Sequence, residues 1–261
     1  MSDTGLRSPL SAAGASLRRE LEERIGAGEW PPGHRLPGER ALAVAHGVSR
    51  PVVREVLRTL SAAGLVEISP ARGTFVRRPT GSDLSEPLGR LMVASGATVR
   101  DVAAARMVVE GEVARLAALR RGGSVLARLQ ATGAAVDDGH ELLNQGVRDL
   151  AYHSLLTVAS GNPVLRAMHR SIAPYILFMM LRRGAVSSTQ SVWHRQITEA
   201  VADGDPERAR ELILAHLGST QKQFGADYDR PVDTVAEEDL SRISGGLWNL
   251  QELAEIGRAH V

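Results

Sequence analysis

The 261-residue chain contains no cysteine, so disulfides, cysteine-ligated zinc and a thiol nucleophile are excluded. Any metal has to be held by histidine and carboxylate groups. Lysine is nearly absent too: Lys222 stands alone and arginine carries the remaining positive charge. Arginine suits bidentate contacts to phosphates and bases, but the bias runs through the whole chain and reflects base composition more than function. Three Phe, three Tyr and three Trp give little material for a β-rich core. No stretch approaches the roughly 20 apolar residues of a membrane helix. The N-terminus lacks a basic-then-apolar export pattern. These absences lead us to expect a cytoplasmic protein with no membrane partner.

What is present divides into two parts. Residues 1–80 hold 12 arginines against 8 acidic residues, a surplus of four; the remainder holds 19 basic against 22 acidic residues, a deficit of three. The net charge of +1 is therefore the sum of a basic front and an acidic rear, as expected of two domains with different partners. Thr80-Gly-Ser-Asp83 follows Pro79 and reads as a hinge over 79–83.

Before the hinge, Leu17, Leu21 and Ile25 share one helix face, and Pro31-Pro32-Gly33 ends that helix. A second helix is predicted from Gly38 or Glu39 to Gly47. A third runs from Arg50 to Ala63, with Ser49 as N-cap and Gly64 as stop. Leu65–Ile68 and Thr74–Val76 read as a small hairpin. Two short helices joined at Gly47-Val48-Ser49 have the layout of a helix-turn-helix, whose second helix enters the DNA major groove. Arg50 and Arg54 lie at i, i+4 near the start of that helix, where side chains reach base edges. Ser49 stands where it can hold a phosphate, and Arg72 in the hairpin turn can reach the minor groove or backbone. Arginines in this pattern also suit an ordinary solvated face.

After the hinge almost everything reads as helical, with segments near 84–95, 98–121, 124–136, 140–160, 163–183, 188–203 and 206–224, a seven-helix antiparallel bundle. Residues 225–261 read as a loose acidic tail. Its end, Glu255–Val261, back-translates to a common sequencing-adapter sequence, which leaves adapter read-through and a native end as alternatives, so His260 is set aside. Asp149 and His153 point from one helix face at i, i+4. His194 and His216 lie on two helices that can run antiparallel and bring both imidazoles to the same depth. One carboxylate and three imidazoles suit zinc first, with nickel or manganese as alternatives. Each histidine, taken singly, equally suits a hydrogen-bonded core or surface position.

The ordered blocks Gly33-His34-Arg35-Leu36-Pro37-Gly38-Glu39-Arg40, Gly47-Val48-Ser49-Arg50-Pro51-Val52-Val53-Arg54-Glu55, Ala63-Gly64-Leu65-Val66 and Arg72-Gly73-Thr74-Phe75-Val76 resemble the winged-helix domain of the GntR superfamily of bacterial transcription regulators. The resemblance spans residues 14–78. It implies DNA contacts by Arg40, Arg50 and Arg54, backbone contact by Ser49, a wing tip at Arg72-Gly73 and a phosphate contact at Arg35. Residues 84–222 are similar to the all-helical effector (FCD) domain of the FadR subgroup, which sets the domain at 84–224. The matches are Arg106-x3-Glu110, Asp149-x3-His153, Ser160-Gly161-Asn162-Pro163, His194 and His216. That resemblance implies a divalent metal on Asp149, His153, His194 and His216. It also implies a small organic or sugar acid beside the metal, anchored by Arg106 and contacted by Asn162, although Asn162 equally suits the cap of the next helix. Arg182 and Arg183 are placed to reach the same pocket, while His140 and His169 fall outside the pattern. Together these features predict a homodimeric repressor on a double-stranded operator with two half-sites. Alternatives are a regulator that senses the metal itself and a metal-dependent hydrolase tethered to a DNA-binding domain.

Overall fold

The computed structural model describes residues 11–77, 80–133, 142–184 and 188–260. The chain divides into two units, Met1–Asp83 and Leu84–Val261. Pro79 of the hinge, the helix ends expected at 134–136 and 140–141, and His140 lie outside the described residues.

The first unit holds α1 (Ala12–Gly26), α2 (Glu39–Ala45), α3 (Arg50–Ala62), β1 (Val66–Ser69) and β2 (Gly73–Val76). Leu17 and Leu21 of α1 are buried as their spacing requires, and they join Val53, Val56, Leu57 and Leu60 of α3 in one core. The strands pair antiparallel, Val66 opposite Val76 and Ser69 opposite Gly73. Arg35 forms an isolated bridge to Phe75, which ties the chain ahead of α2 to the hairpin. Gly73 has φ +116°, and a Cβ there would lie 2.8 Å from Nε of Arg35. Only glycine meets both demands.

The second unit is helical: α4 (Ser85–Ser95), α5 (Val99–Arg120), α6 (Gly123–Gly133), α7 (Leu142–Ser160), α8 (Pro163–Ser171), α9 (Ala173–Arg183), α10 (Ser188–Asp203), α11 (Pro206–Leu217), α12 (Thr220–Phe224), α13 (Val232–Ser244) and α14 (Leu250–His260). α5 lies at the centre, packed on α7, α10 and α11. A capping box starts it: Thr98 Oγ1 accepts from Asp101 N, and Asp101 accepts from Thr98 N.

The segment predicted as one helix over 163–183 is two. Pro174 has no N–H to give the Arg170 carbonyl four residues back, so the helix cannot run through it. Ile172 takes φ −102°, ψ 4° at the break, and Ser85 Oγ donates to the stranded Arg170 carbonyl at 3.3 Å. Beyond the break every residue from Ala173 to Leu181 is buried, so α9 forms the spine of one core cluster. The helix predicted over 206–224 is likewise interrupted at Gly218-Ser219, where Ser219 Oγ bonds back to the His216 carbonyl.

The expectation of a loose tail over 225–261 is corrected. Residues 225–229 form a 3-10 turn and α13 and α14 follow. Val232, Val235, Ala236 and Leu240 of α13 and Leu253 of α14 are buried in the α9 cluster. Their apolar spacing is helical and outweighs the acidic composition of the segment. Asp239 is buried and pairs with Arg182 of α9 and Arg242 of its own helix.

Candidate functional site

Two constellations emerge, one in each unit. In the first, Arg50 and Arg54 project from the opening turns of α3 with more than half of each side chain exposed. Ser49 occupies the N-cap position, yet its side chain makes no capping bond and is exposed. Its hydroxyl is thus available at the positive end of a helix. Arg35 and Arg40 are also exposed. Arg72 is exposed in the wing turn with its guanidinium 5.9 Å from the centre of the Phe75 ring. Five exposed arginines and Ser49 are thus distributed over the segment before α2, the starts of α2 and α3, and the hairpin turn.

The unforeseen member is Glu39. Both its carboxylate oxygens accept from Nε of Arg54 at 2.9 Å, and Nη2 of Arg50 is 3.3 Å away. Hydrogen bonds from Arg54 lead in holding the Glu39 carboxyl below the usual carboxylate range. Its sequence position, first in α2 and eleven residues before Arg50, gives no hint of this pairing.

In the second unit, Asp149 and His153 of α7, His194 of α10 and His216 of α11 bring one ligand atom each to within 4.8 Å of one another, and all four residues are buried. The ring centres of His153 and His194 are 5.4 Å apart, and those of His194 and His216 5.1 Å. Tyr152 stacks on His194 at 3.9 Å and donates its hydroxyl to the His194 carbonyl, which fixes the α7–α10 contact.

Three atoms in this cluster make no hydrogen bond: Asp149 Oδ1, His194 Nε2 and His216 Nε2. Nε2 of His194 is only 3.1 Å from Oδ1 of Asp149 and still makes no properly directed bond to it. Buried polar atoms without partners are costly, and three converging on one point fit a shared cation. Two ligands with zinc–nitrogen bonds of about 2.1 Å sit at most about 4.2 Å apart, so a small contraction closes the set around an ion. Burial, followed by repulsion from His153 and His194, drives His216 well below the normal imidazole range. Burial likewise lowers His153, against the attraction of Glu110. Both are neutral near pH 7, the form that offers a lone pair. For Asp149, burial opposes ionisation but His194, Arg183 and His153 outweigh it and hold the carboxyl well below its usual range.

Around the cluster, Arg106 is 5% exposed, and its Nη2 is 3.4 Å from His153 Nε2. Arg106, Arg183 and His216 line a small cavity with Met179, Met180 and Gln223, with free space of about 10 Å³, room for one water. Of the two arginines ending α9, Arg183 donates to Asp149 Oδ2, whereas Arg182 turns away to Asp227 and Asp239. Asn162 takes the capping alternative: its Oδ1 accepts from Val164 N and Leu165 N as the cap of α8. His169, set aside from sequence, is fully buried with Nε2 3.4 Å from Glu110.

Both constellations lie within segments that match known families. Residues 14–76 match the family described as "Bacterial regulatory proteins, gntR family", and residues 101–219 match the FCD domain. The chain is 31% identical over 220 residues to the HTH-type transcriptional regulator LutR of Bacillus subtilis (strain 168), covering 80% of this chain and 99% of the relative. It is 34% identical over 222 residues to the transcriptional regulator Mce2R of Mycobacterium tuberculosis, covering 78% and 91%. It is 27% identical over 237 residues to the transcriptional repressor NanR of Klebsiella aerogenes, covering 84% and 89%. A Streptococcus agalactiae GntR structure shares the fold with a TM-score of 0.59 at 24% identity, over 80% of this chain and 99% of that one. Such relatives leave no place for the hydrolase alternative. The chain belongs to the GntR family of bacterial regulatory proteins, as a DNA-binding transcription regulator that carries a C-terminal FCD domain.

Proposed function

We propose that this regulator is a homodimeric repressor whose grip on its operator is set by a small organic or sugar acid bound beside a divalent metal in the helical domain. The observation that carries this reading is the convergence of three unpartnered buried atoms, on Asp149, His194 and His216, with His153 beside them. Asp149, His153, His194 and His216 would hold the ion, zinc being favoured by three imidazoles and one carboxylate. The bound ion would supply a Lewis-acidic point for one carboxylate oxygen of the effector.

The chain's own residues supply the rest. Arg106 and Arg183 flank the cavity and offer guanidinium donors to the acid's charge. The cavity in this state has room for little more than a water, so an acid can enter only if the side chains around it give way. Arg183 must then exchange its Asp149 contact for the ligand. That difference between filled and unfilled states is what a ligand needs to shift an equilibrium. On the DNA side, Arg40, Arg50 and Arg54 would read bases, while Ser49, Arg35 and the Arg72-Gly73 wing hold backbone or minor groove. One such reader covers few base pairs. A homodimer on two half-sites about one helical turn apart supplies operator-level selectivity. The repressor named among the relatives supports the sign of regulation.

A thermal-shift screen of zinc-loaded protein against small carboxylates and sugar acids tests the reading. A rise in melting temperature with zinc, and a further rise with one class of acid, is expected. A protein indifferent to every divalent ion contradicts it.

A further inference from the structure

Glu110 lies on α5 one turn after Arg106 and is 1% exposed. A carboxylate so far from water is expensive to keep unless every lone pair it presents is used. Both oxygens are engaged. Oε1 accepts from Nε of Arg106 at 2.7 Å and lies 3.4 Å from Nε2 of His169, and Oε2 lies 2.5 Å from Nδ1 of His153. Three elements, α5, α7 and α8, therefore converge on this one side chain.

An ionised carboxylate can only accept, so the contact at Oε2 requires the hydrogen of His153 to sit on Nδ1. That leaves Nε2 as a lone pair, which faces Nη2 of Arg106 at 3.4 Å and stands 3.7 Å from Asp149 Oδ1. In the opposite tautomer Nε2–H would face the Arg106 guanidinium, donor against donor, and occupy the place an ion needs. Glu110 at Nδ1, with the Arg106 it holds at Nε2, thus selects the tautomer in which His153 can be a ligand. Its other oxygen holds Arg106 by Nε, which keeps the rest of that guanidinium beside the same cavity.

We propose that Glu110 is a positioning residue of the metal site, fixing the His153 tautomer with one oxygen and the Arg106 side chain with the other. The inference rests on the reading of Asp149, His153, His194 and His216 as a metal site, and adds a side chain that itself touches no ion. Carboxylates that orient a ligating imidazole in this way typically change metal affinity about 10–100-fold when removed. Glu110→Gln keeps the shape, but whichever way the amide turns, its NH2 meets either the Nδ1–H of His153 or the Nε–H of Arg106.

Titration of the full chain with Co2+, followed by visible absorption, tests this. The Glu110→Gln protein, checked as folded by circular dichroism, is expected to bind Co2+ about 10–100-fold more weakly and with an altered absorption envelope. Equal affinity and an identical spectrum overturn the inference while leaving the metal reading intact. A wild-type protein that takes up no Co2+ overturns the metal reading and this inference with it. If the variant fails to fold, long-range 1H–15N correlation on histidine-labelled, metal-free wild type decides the matter. A proton on Nδ1 of His153 supports the proposal, and a proton on Nε2 overturns it.

Discussion

Arg54 is held at Nε by Glu39, which leaves its terminal nitrogens outside that contact and aimed by a fixed partner. A guanidinium prepared in this way gives up little rotamer freedom when it meets a guanine edge. Arg54→Ala is expected to remove about 1–3 kcal/mol of discrimination between the operator and a base-substituted copy. Fluorescence anisotropy with both duplexes measures it, and metal uptake stays unchanged. In the other unit, His216→Ala is expected to abolish the zinc-dependent rise in melting temperature while operator binding persists. A retained rise removes His216 from the ligand set. The Asp149-x3-His153 spacing makes one shared helix face legible in the sequence, and the antiparallel pairing of two later helices accounts for His194 and His216. Glu110 and Glu39 stand in the matching blocks, but their contacts were not legible, because an acid at i+4 from an arginine reads as an ordinary exposed helix pair, and an acid heading a short helix reads as a dipole partner. Burial separates Glu110 from that reading, and a contact across two helices separates Glu39.

Among the elements, the long helices followed from periodicity, and the departures each trace to one residue or one face. Pro174 breaks the segment read as a single helix because it has no N–H for the Arg170 carbonyl, and Ser85, 85 residues away, takes that carbonyl instead. α13 was hidden by its acidic surface, although Val232, Val235, Ala236 and Leu240 keep a helical stripe. Its anchor is Asp239, and Asp239→Ala leaves Arg182 short of a buried partner. A loss of about 1–3 kcal/mol in urea unfolding is expected, whereas an unattached tail would give none. The loop between α10 and α11 offers a second check. Gly204 has φ +72°, and an added Cβ would lie 2.0 Å from Nε of Arg121. Gly204→Ala is therefore expected to destabilise the chain by about 1–2 kcal/mol through the left-handed backbone alone, with the displaced arginine adding to it.

For the whole molecule, the near-neutral net charge conceals a division of labour. The basic front carries exposed arginines at the start of α3 and at the wing, and the rear carries a buried polar cluster inside an apolar bundle. Each phosphate contact made by the front would make operator affinity fall with salt, by about 0.9 in log K per log salt. In a homodimer each arginine occurs twice, so Arg72→Ala is expected to make that slope shallower by about 2, where a monomeric reader would change it by about 1. Linkage also requires that an acid which weakens operator binding be itself weakened by operator to the same degree. The most direct test is operator binding by zinc-loaded protein, measured by anisotropy with and without the acid selected by thermal shift, in parallel with His216→Ala. The account predicts release of wild type by the acid only when metal is present, and a variant that binds operator but does not respond. Operator affinity that ignores every acid at fixed metal, or release by chelator alone, contradicts it.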